Sequence, residues 1–389
     1  MNSPKTMIIK RTLQDRIEKF LFKGKIIILY GARQVGKTTL VKEIIKKYPD
    51  DSLYLNCDEP DIRASLSSRT STELKAFLGN KRIVVIDEAQ QVKDISISLK
   101  LIVDNFPDVQ VIATGSSSFE LSDRLSEPLT GRKVEFTLYP LSLEELSSVY
   151  SQIELDRLLK TRIVNGMYPE IVLNSENTDV NLKSLAFSYS YKDVLKFQNI
   201  KNPEILERLL QALALQIGNE VSYNELSSLI GIDKNTVSNY IRILEQAFII
   251  FRLQPFSRNL RSELKKLRKI YFYDTGIRNA LINNLNPVEL RQDTGAIWEN
   301  FVISERIKLL RNNGIDKNFY FWRTKQKQEI DLIEEGGGQL SAFEIKWSKD
   351  RFKPSKVFIQ TYPDARLFLI SSNNYRESLL KIDTGTQTG

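Results

Sequence analysis

The residues whose types and spacing most clearly support chemistry lie in the stretch "KIIILYGARQVGKTTLVKEIIKKY". Its turn has the spacing G-x-x-x-x-G-K-[ST]. Backbone N–H groups of such a loop surround phosphates, the lysine reaches the β- and γ-oxygens, and the hydroxyl binds Mg²⁺. The predicted contacts extend over Gly31, Ala32, Arg33, Gln34, Val35, Gly36, Lys37, Thr38 and Thr39. The sequence therefore predicts a site for ATP and Mg²⁺, with Lys37 and Thr38 as its reactive side chains.

Two acidic residues follow the apolar run in "RIVVIDEAQ". Asp87 would hold the water shell of Mg²⁺, and Glu88 would polarise the attacking water. This adjacent pair favours hydrolysis over simple nucleotide binding, although solvated acids at a strand end would have the same letters. A third run, "VQVIATGSSSF", ends in Thr114 and Ser116. Either hydroxyl could contact the γ-phosphate, but such residues are also common in ordinary turns.

A second group of reactive residues lies in "EIDLIEEGGGQLSAFEIKWS", residues 329–348. Asp331 lies in one alternating run, and Glu344 and Lys346 lie in the next. Residues two apart point to the same face of a strand, which explains the E-x-K spacing. Carboxylates gathered there could bind Mg²⁺ while the lysine activates water, the chemistry of phosphodiester hydrolysis. The same residues would also be found on an ordinary polar face of an α/β domain. They would equally be found in a nuclease fold that is inactive and is kept for binding.

Composition narrows the chemistry further. The chain has no histidine, which excludes imidazole bases and Ser-His triads, and its one cysteine, Cys57, excludes an internal disulfide. The net charge of +8 and pI near 9.2 are compatible with a polyanionic partner. No apolar run approaches the ~20 residues needed to cross a bilayer. We expect a cytoplasmic protein without membrane contact, whose 389 residues form two to three domains.

The elements that must position these residues follow from the periodicity. A strand from Lys25 to Tyr30, the runs before Asp87 and Thr114, and helical spacing between them predict an α/β domain with a parallel sheet. From Glu144 to Val172 amphipathic helical spacing dominates, which predicts a small helical lid.

The segment "SYNELSSLIGIDKNTVSNYIRILEQAFIIFRL" predicts a winged helix-turn-helix with Gly231 at its turn. Its second helix would place Lys234, Asn235, Ser238, Asn239 and Arg242 outward, towards DNA. Seven basic residues against two acidic ones lie between Phe256 and Arg278. The basic residues predicted to contact nucleic acid there are Arg261, Lys265, Lys266 and Lys269. Since the second helix is not itself basic, packing or protein contact stays an alternative.

The five stretches "GARQVGKTT", "VVIDEAQ", "ATGSSSFEL", "GRKVEFTLYPLSLEEL" and "MYPE" resemble prokaryotic AAA-type P-loop ATPases of the archaeal-ATPase-like group, which carry a C-terminal domain of unknown function. The similarity spans essentially the whole chain. It implies Arg132 as a candidate arginine finger, with Arg124 as substitute, and so a homo-oligomer that hydrolyses ATP between subunits. Met167 departs from the Gly-Gly-Tyr-Pro-Glu pattern usual for the group.

The C-terminal order of a long helix, "GAIWENFVISERIKLLRNN", and four strand-like runs is similar to a restriction-endonuclease-like core. This resemblance implies nuclease roles for Glu299 on the helix, Asp331 on the second strand, and Glu344 and Lys346 on the third.

The predicted fold class is α/β: a P-loop ATPase domain with parallel sheet and helical lid, then a winged helix-turn-helix, then a restriction-endonuclease-like α/β domain. The predicted boundaries are 1–140 for the ATPase core, 141–200 for lid and linker, 201–270 for the winged helix, and 271–389 for the nuclease-like domain. The expected function is Mg²⁺-dependent ATP hydrolysis coupled to nucleic acid, DNA rather than RNA, with nuclease activity left open. One alternative is a nucleotide-dependent switch or assembly platform that binds a protein partner; another is a nuclease restrained by ATP.

Overall fold

The computed structural model describes residues 8–116, 129–174, 176–187, 203–256, 268–349 and 351–382. The chain forms two compact units. The first, here called the parallel-sheet unit, comprises Lys10–Pro140 and Gln246–Phe248. The second, the mixed-sheet unit, comprises Met1–Ile9, Leu141–Glu245 and Ile249–Gly389. Each unit therefore draws on segments that are distant in the sequence.

Within the described residues, five strands form the sheet of the parallel-sheet unit, in the order β2-β3-β4-β1-β5, and all neighbours are parallel. The strands are β1 (Ile26–Tyr30), β2 (Ser52–Asn56), β3 (Ile83–Asp87), β4 (Gln110–Gly115) and β5 (Lys133–Thr137). The helices are α1 (Thr12–Lys19), α2 (Lys37–Ile45), α3 (Pro60–Leu66), α4 (Ser71–Leu78) and α5 (Ile95–Asn105). β1, β3 and β4 are buried along their whole length, as expected of strands covered on both faces. The predicted α/β domain with a parallel sheet is confirmed.

The strand order brings the residues that are predicted to bind ATP to one end of the sheet, the carboxyl ends of its strands. β4 pairs with β1 on one side and with β3 on the other. Because parallel strands end at the same end of the sheet, the loop after β1 becomes a neighbour of Asp87 and Glu88 at the end of β3 and of the hydroxyls at the end of β4.

The mixed-sheet unit begins with helices α6 (Leu143–Leu146), α7 (Gln152–Asn165) and α8 (Pro169–Leu173). The segment predicted as a lid thus belongs to this unit. Next come α9 (Pro203–Leu215), α10 (Tyr223–Ile230), α11 (Lys234–Gln246), α12 (Thr275–Leu281) and α13 (Thr294–Asn312). Two short helices, α14 (Lys356–Thr361) and α15 (Tyr375–Leu379), follow. No helix in the described ranges is long and apolar enough to span a membrane.

In the part of the chain that the structure describes, the second sheet has six strands in the order β11-β10-β9-β8-β6-β7. They are β6 (Ile250–Pro255), β7 (Lys269–Phe272), β8 (Asn318–Arg323), β9 (Glu329–Gly336), β10 (Gln339–Ile345) and β11 (Arg366–Ile370). β6, predicted as a wing strand, pairs antiparallel with β7 and parallel with β8. The predicted boundary between residues 270 and 271 is wrong in structural terms, since it falls inside β7 and would divide one continuous sheet.

Candidate functional site

The loop between β1 and α2 has a backbone that only glycine permits at its first position. A Cβ on Gly31 would lie 2.3 Å from the carbonyl oxygen of Leu138. Gly36, which caps α2, has φ +98°, in the region that favours glycine. The Nζ of Lys37 donates to the carbonyls of Gly31 and Ala32 at 3.0 and 2.9 Å. The ammonium therefore lies along the loop, as a phosphate-binding turn requires.

A hydrogen-bonded chain links this loop to the two neighbouring strands. The hydroxyl of Thr38 donates to Oδ2 of Asp87 at 2.7 Å, and the hydroxyl of Thr114 donates to Oδ1. The backbone N–H of Glu88 donates to the Thr114 hydroxyl at 3.1 Å. A threonine hydroxyl beside a buried carboxylate, next to a lysine and a glycine loop, is the donor set that a Mg²⁺-bound nucleotide needs. The residues present therefore fit the predicted cofactors.

Glu88 is held in an uncommon backbone conformation with φ +54°. Its carboxylate accepts a hydrogen bond from Nε2 of Gln90, which also donates to the hydroxyl of Ser116 at 3.1 Å. The side chain of Gln90 is buried, at 5% exposure. Sequence reasoning assigned no role to Gln90, although its position two residues after Glu88 was a usable signal.

Two other residues of this site were missed. Arg11, 7% exposed, donates to the carbonyls of Val35 and Tyr139, both at 2.6 Å. The hydroxyl of Tyr54 donates to Asp87; burial, followed by this hydrogen bond, raises the pKa of Tyr54. Because both residues lie more than 20 positions from the groups they contact, no local pattern could have identified them.

Arg132 lies at the end of the sheet where β1 begins, opposite the end that carries the phosphate loop. Its carbonyl accepts from the N–H of Ile26, at the start of β1, whereas the phosphate loop follows the end of β1. Its guanidinium pairs with Asp104 at 2.6 Å. Arg132 therefore lies away from the phosphate loop of its own chain and is engaged in an ion pair with Asp104. Arg124 lies outside the described residues.

The four predicted nuclease residues do come together, in the mixed-sheet unit. Lys346, directly after β10, lies 3.2 Å from Oδ2 of Asp331 and 2.8 Å from Oε1 of Glu344. Glu299 reaches the group from α13, and its pKa is raised to about 7 by burial and by the charge of Asp331. We call Glu299, Asp331, Glu344 and Lys346 the acid–lysine cluster.

A buried lysine extends this cluster, and sequence reasoning gave that lysine another role. Lys269, only 2% exposed, pairs with Glu299 at 3.2 Å and with Glu329. The predicted contact of Lys269 with nucleic acid is wrong, because a side chain enclosed in the unit cannot reach a phosphate backbone. Tyr271, two residues further along β7, donates to Glu299 at 2.6 Å. Among the described residues, no group of three or more acids is arranged to hold a metal ion.

The predicted outward residues of α11 lie outward. Lys234, Asn235, Ser238 and Arg242 are exposed and Asn239 is half-buried. Arg242 donates to Oδ1 of Asn239 at 2.9 Å. Of the five residues on this face of α11, only Lys234 and Arg242 are charged, so the face carries few charges. Arg261, Lys265 and Lys266 lie outside the described residues.

Three family models match successive parts of the chain. Residues 23–147 match an AAA domain, residues 156–288 match a domain of unknown function (DUF8612), and residues 294–383 match a second such domain (DUF4143). The loop, the parallel sheet and the first match together define an AAA domain of the P-loop type, followed by a C-terminal DUF4143 domain.

Similar proteins occur in bacteria and archaea. An uncharacterized protein of Mycobacterium tuberculosis is 27% identical, over 87% of this chain and 74% of its own. An uncharacterized protein of Methanocaldococcus jannaschii is 25% identical, over 89% of this chain and 83% of its own. Among solved structures, the Pif1 helicase of Candida albicans aligns with a TM-score of 0.24 and 18% identity, over 46% of this chain and 48% of that one.

Proposed function

We propose that this chain hydrolyses ATP with Mg²⁺ at the loop between β1 and α2, and that its nucleotide state governs action on a nucleic acid. The ATPase proposal rests on one observation: the hydroxyls of Thr38 and Thr114 both donate hydrogen bonds to the carboxylate of Asp87. It places a hydroxyl, a carboxylate and a second hydroxyl beside the phosphate loop, on three neighbouring elements.

Each side chain has a role in this proposal. Lys37 binds the β- and γ-phosphate oxygens, and Thr114 or Ser116 contacts the γ-phosphate from the end of β4. Bound Mg²⁺, held by Thr38 and through water by Asp87, would neutralise charge on the phosphate oxygens. Glu88 orients the attacking water and accepts its proton. Because Gln90 donates to Glu88 and Ser116 together, we assign Gln90 as the residue that positions this base.

The first experiment measures ATP turnover by the purified full chain with Mg²⁺, alone and with duplex, branched or single-stranded DNA or RNA. Lys37→Ala and Glu88→Gln should each lower turnover by at least about 100-fold. Lys46→Ala is the matched control for Lys37, because Lys46 is an exposed lysine that extends α2 and pairs with Glu43. Unchanged turnover in Lys37→Ala or Glu88→Gln would refute the ATPase proposal.

The nucleic-acid part rests on the order of elements around α11. Helix α10 ends at Gly231, whose φ of +81° makes the turn into α11, and the antiparallel pair β6 and β7 follows. This order supports a winged helix whose second helix presents Lys234 and Arg242 to DNA. The double change Lys234→Glu and Arg242→Glu should weaken DNA binding and flatten its salt dependence. Lys325 is an exposed lysine elsewhere in the unit, so Lys325→Glu should leave DNA binding unchanged. If it weakened DNA binding as much as the double change does, the net charge of the protein alone would explain the effect.

Nuclease activity is the finer proposal for the acid–lysine cluster. Lys346 lies within ion-pair distance of two carboxylates, and Glu299 adds a third from α13. Strand integrity is followed in the same tubes as ATP turnover. Mg²⁺-dependent cleavage that disappears in Asp331→Ala and Lys346→Ala, but persists in Glu335→Gln on the same strand, would support it. Intact strands with the wild-type chain would refute it.

We further propose that the chain acts as a homo-oligomer with Arg132 reaching the nucleotide of a neighbouring subunit. The placement of Arg132 at the sheet edge away from its own phosphate loop supports this arrangement. Mixing Arg132→Ala with Lys37→Ala should restore part of the turnover that each lacks, because some interfaces then pair an intact loop with an intact arginine. Absence of recovery, with mixed oligomers present by native mass spectrometry, would exclude the arginine finger.

A second candidate function is a nucleotide-dependent switch whose C-terminal domain binds a protein. Two observations favour it: α11 has few outward charges, and Lys346 and Lys269 already pair with the three acids of the cluster and with Glu329. The switch predicts ATP turnover that no polymer stimulates and strands that stay intact. Stimulation by a single kind of polymer would exclude it.

A further inference from the structure

The loop that joins α1 to β1, residues 20–25, presents an aromatic ring and two lysines at the end of the sheet where β1 begins. Phe22 is 37% exposed, and Lys23, Gly24 and Lys25 after it are exposed as well. We propose that this loop is a stacking platform for the unpaired bases of a single-stranded nucleic acid. The inference rests on the nucleic-acid part of the proposed function and adds to it a surface for strands without a complementary partner.

The backbone of Phe22 has a conformation that bulky residues rarely adopt. Its φ is +58°, in the left-handed region where a Cβ crowds the backbone and glycine is favoured. The side chain therefore costs backbone energy at this position. A large ring that is kept in such a conformation, and is partly exposed there, points to a function of the ring itself.

Gln110, the first residue of β4, fixes the loop at two points. Its Oε1 accepts from the backbone N–H of Phe22 at 2.6 Å, and its Nε2 donates to the carbonyl of Lys25 at 2.9 Å. Gln110 is only 3% exposed, so these bonds are shielded from water. Its own backbone N–H donates to the carbonyl of Arg82 at 2.8 Å, which places Arg82 beside the loop. The platform is thus ordered before any strand binds, and this order lowers the entropic cost of binding.

Arg82 and Tyr48 flank the ring of Phe22. The guanidinium carbon of Arg82 lies 5.1 Å from the ring centroid, and the ring of Tyr48 meets it edge-on with centroids 6.0 Å apart. Phenylalanine rings and planar guanidinium groups are the surfaces on which proteins stack unpaired bases. Because a base inside a duplex is already stacked on its neighbours, this platform selects strands whose bases are free.

Four exposed cations lie on or beside this loop: Lys19, Lys23, Lys25 and Arg82. None of the four forms an ion pair with a residue that the structure describes. The turns before β2 and β4 add three exposed acids, Asp50, Asp51 and Asp108. The excess of positive charge is therefore small. Stacking on Phe22 must supply most of the affinity, while the lysines orient the sugar–phosphate chain.

The first test measures binding of the full chain to a fluorescein-labelled oligothymidylate and to a duplex of the same length, by anisotropy in EDTA so that no strand is cut. Phe22→Gly should weaken single-strand binding about tenfold and leave duplex binding unchanged. Glycine relieves the left-handed strain, which offsets the lost ring contacts, so the thermal midpoint of unfolding should stay about where it is. Phe22→Tyr keeps a stacking ring and should bind as the wild type does. Phe187→Ala is the control, because it removes a phenylalanine of similar exposure, 39%, from the mixed-sheet unit.

Photo-crosslinking gives a local readout of the same contact. Single strands that contain 5-bromouracil, made as DNA or as RNA, are irradiated with the full chain, and peptide mass spectrometry identifies the crosslinked residue. Crosslinks at Phe22 are expected. The strand that gives them in higher yield distinguishes DNA from RNA as the source of the bases.

Equal single-strand binding by the wild type and a folded Phe22→Gly, or no single-strand binding at all, would overturn the platform. The proposed function would survive that result, because ATP turnover and the dependence of duplex binding on Lys234 and Arg242 are measured separately. Sedimentation of the wild type as a dimer that Phe22→Gly disrupts would assign the ring to a second copy of the chain, and would overturn the platform as well.

Discussion

The backbone N–H of Met167 donates a hydrogen bond of 2.6 Å to Oδ2 of Asp274, joining segments 107 residues apart. Oδ1 of Asp274 caps α12 by accepting from the N–H of Ile277 at 3.0 Å. A Cβ on Gly276 would lie 2.1 Å from the carbonyl oxygen of Asn165. The motif "NGMYPE", predicted to lie in a lid, thus fixes α7 against α12 within the mixed-sheet unit.

The Gly166 position should tolerate no side chain. Its φ is +78°, and a Cβ would lie 2.1 Å from Oδ1 of Asp274. Gly166→Ala should therefore destabilise the mixed-sheet unit by about 3 kcal/mol or more. Gly231→Ala is the matched control: its φ is +81°, but a Cβ there meets nothing within 4 Å. It should cost only about 1 kcal/mol.

Urea unfolding followed by tryptophan fluorescence measures this difference. The three tryptophans of the chain, Trp298, Trp322 and Trp347, all lie in the mixed-sheet unit, so the signal reports on that unit alone. Equal losses in the Gly166 and Gly231 variants would show that the contact with Asp274 contributes nothing.

Arg11 should be needed for nucleotide affinity although it has no place in the loop motif. It holds the carbonyl of Val35, inside the loop, and that of Tyr139. Arg11→Ala leaves both carbonyls without this donor and frees the loop, so ATP should bind about tenfold more weakly. Binding of a fluorescent ATP analogue measures the effect. Lys10→Ala, an exposed neighbour paired with Asp15, should bind as the wild type does; a loss shared by both variants would remove the specific role of Arg11.

Lys269 should be required for the stability of the acid–lysine cluster. Lys269→Met leaves Glu299 and Glu329 without their buried cation and should cost about 3–5 kcal/mol. Adding Glu299→Gln removes one of the stranded charges, so the double variant should be more stable than Lys269→Met alone. Urea unfolding measures the free energy of unfolding of both variants. Lys325→Met is the control for the loss of a lysine at an exposed position. A double variant less stable than Lys269→Met would contradict the buried-pair account.

We expect the protein to become less stable in acid because the carboxylate of Asp293 is protonated there. Burial raises the pKa of its carboxyl, but hydrogen bonds from Arg291 and Arg278 outweigh that effect, and the pKa is lowered overall. A lowered pKa contributes stability that is present above the ordinary aspartate pKa, about 4, and is lost as pH falls through the folded value. Asp293→Asn should therefore be less stable than wild type at pH near 7, with a gap that narrows in acid. Asp364→Asn, at an exposed position, tests for the loss of charge alone. A gap that does not depend on pH would argue against this assignment.

Much of the nucleotide site could be predicted because its chemistry is local. The loop residues follow one another, and Asp87, Glu88 and Thr114 each end an apolar run of recognisable length. The sequence does not contain the strand order that brings these runs together. Arg11 and Tyr54 were missed for that reason, since each contacts the site only through the folded sheet.

The error over Lys269 has a different origin. A count of basic residues treats each as exposed, whereas Lys269 starts a strand that is buried along its length. The pattern "KIYF" contained that signal, because a lysine followed by three large apolar residues can enter a core only with acids beside it. Those acids come from α13 and β9, 30 and 60 residues further along the chain.

The pairing of β6 with β8 also affects the order in which the protein can fold during synthesis. Gln254 lies beside Tyr320, so the ribosome must add more than 60 residues before that pairing is possible. At synthesis rates of about 5–20 residues per second, β6 and β7 wait several seconds with an unpaired edge. During that interval the nascent chain exposes a strand edge with which other chains could pair.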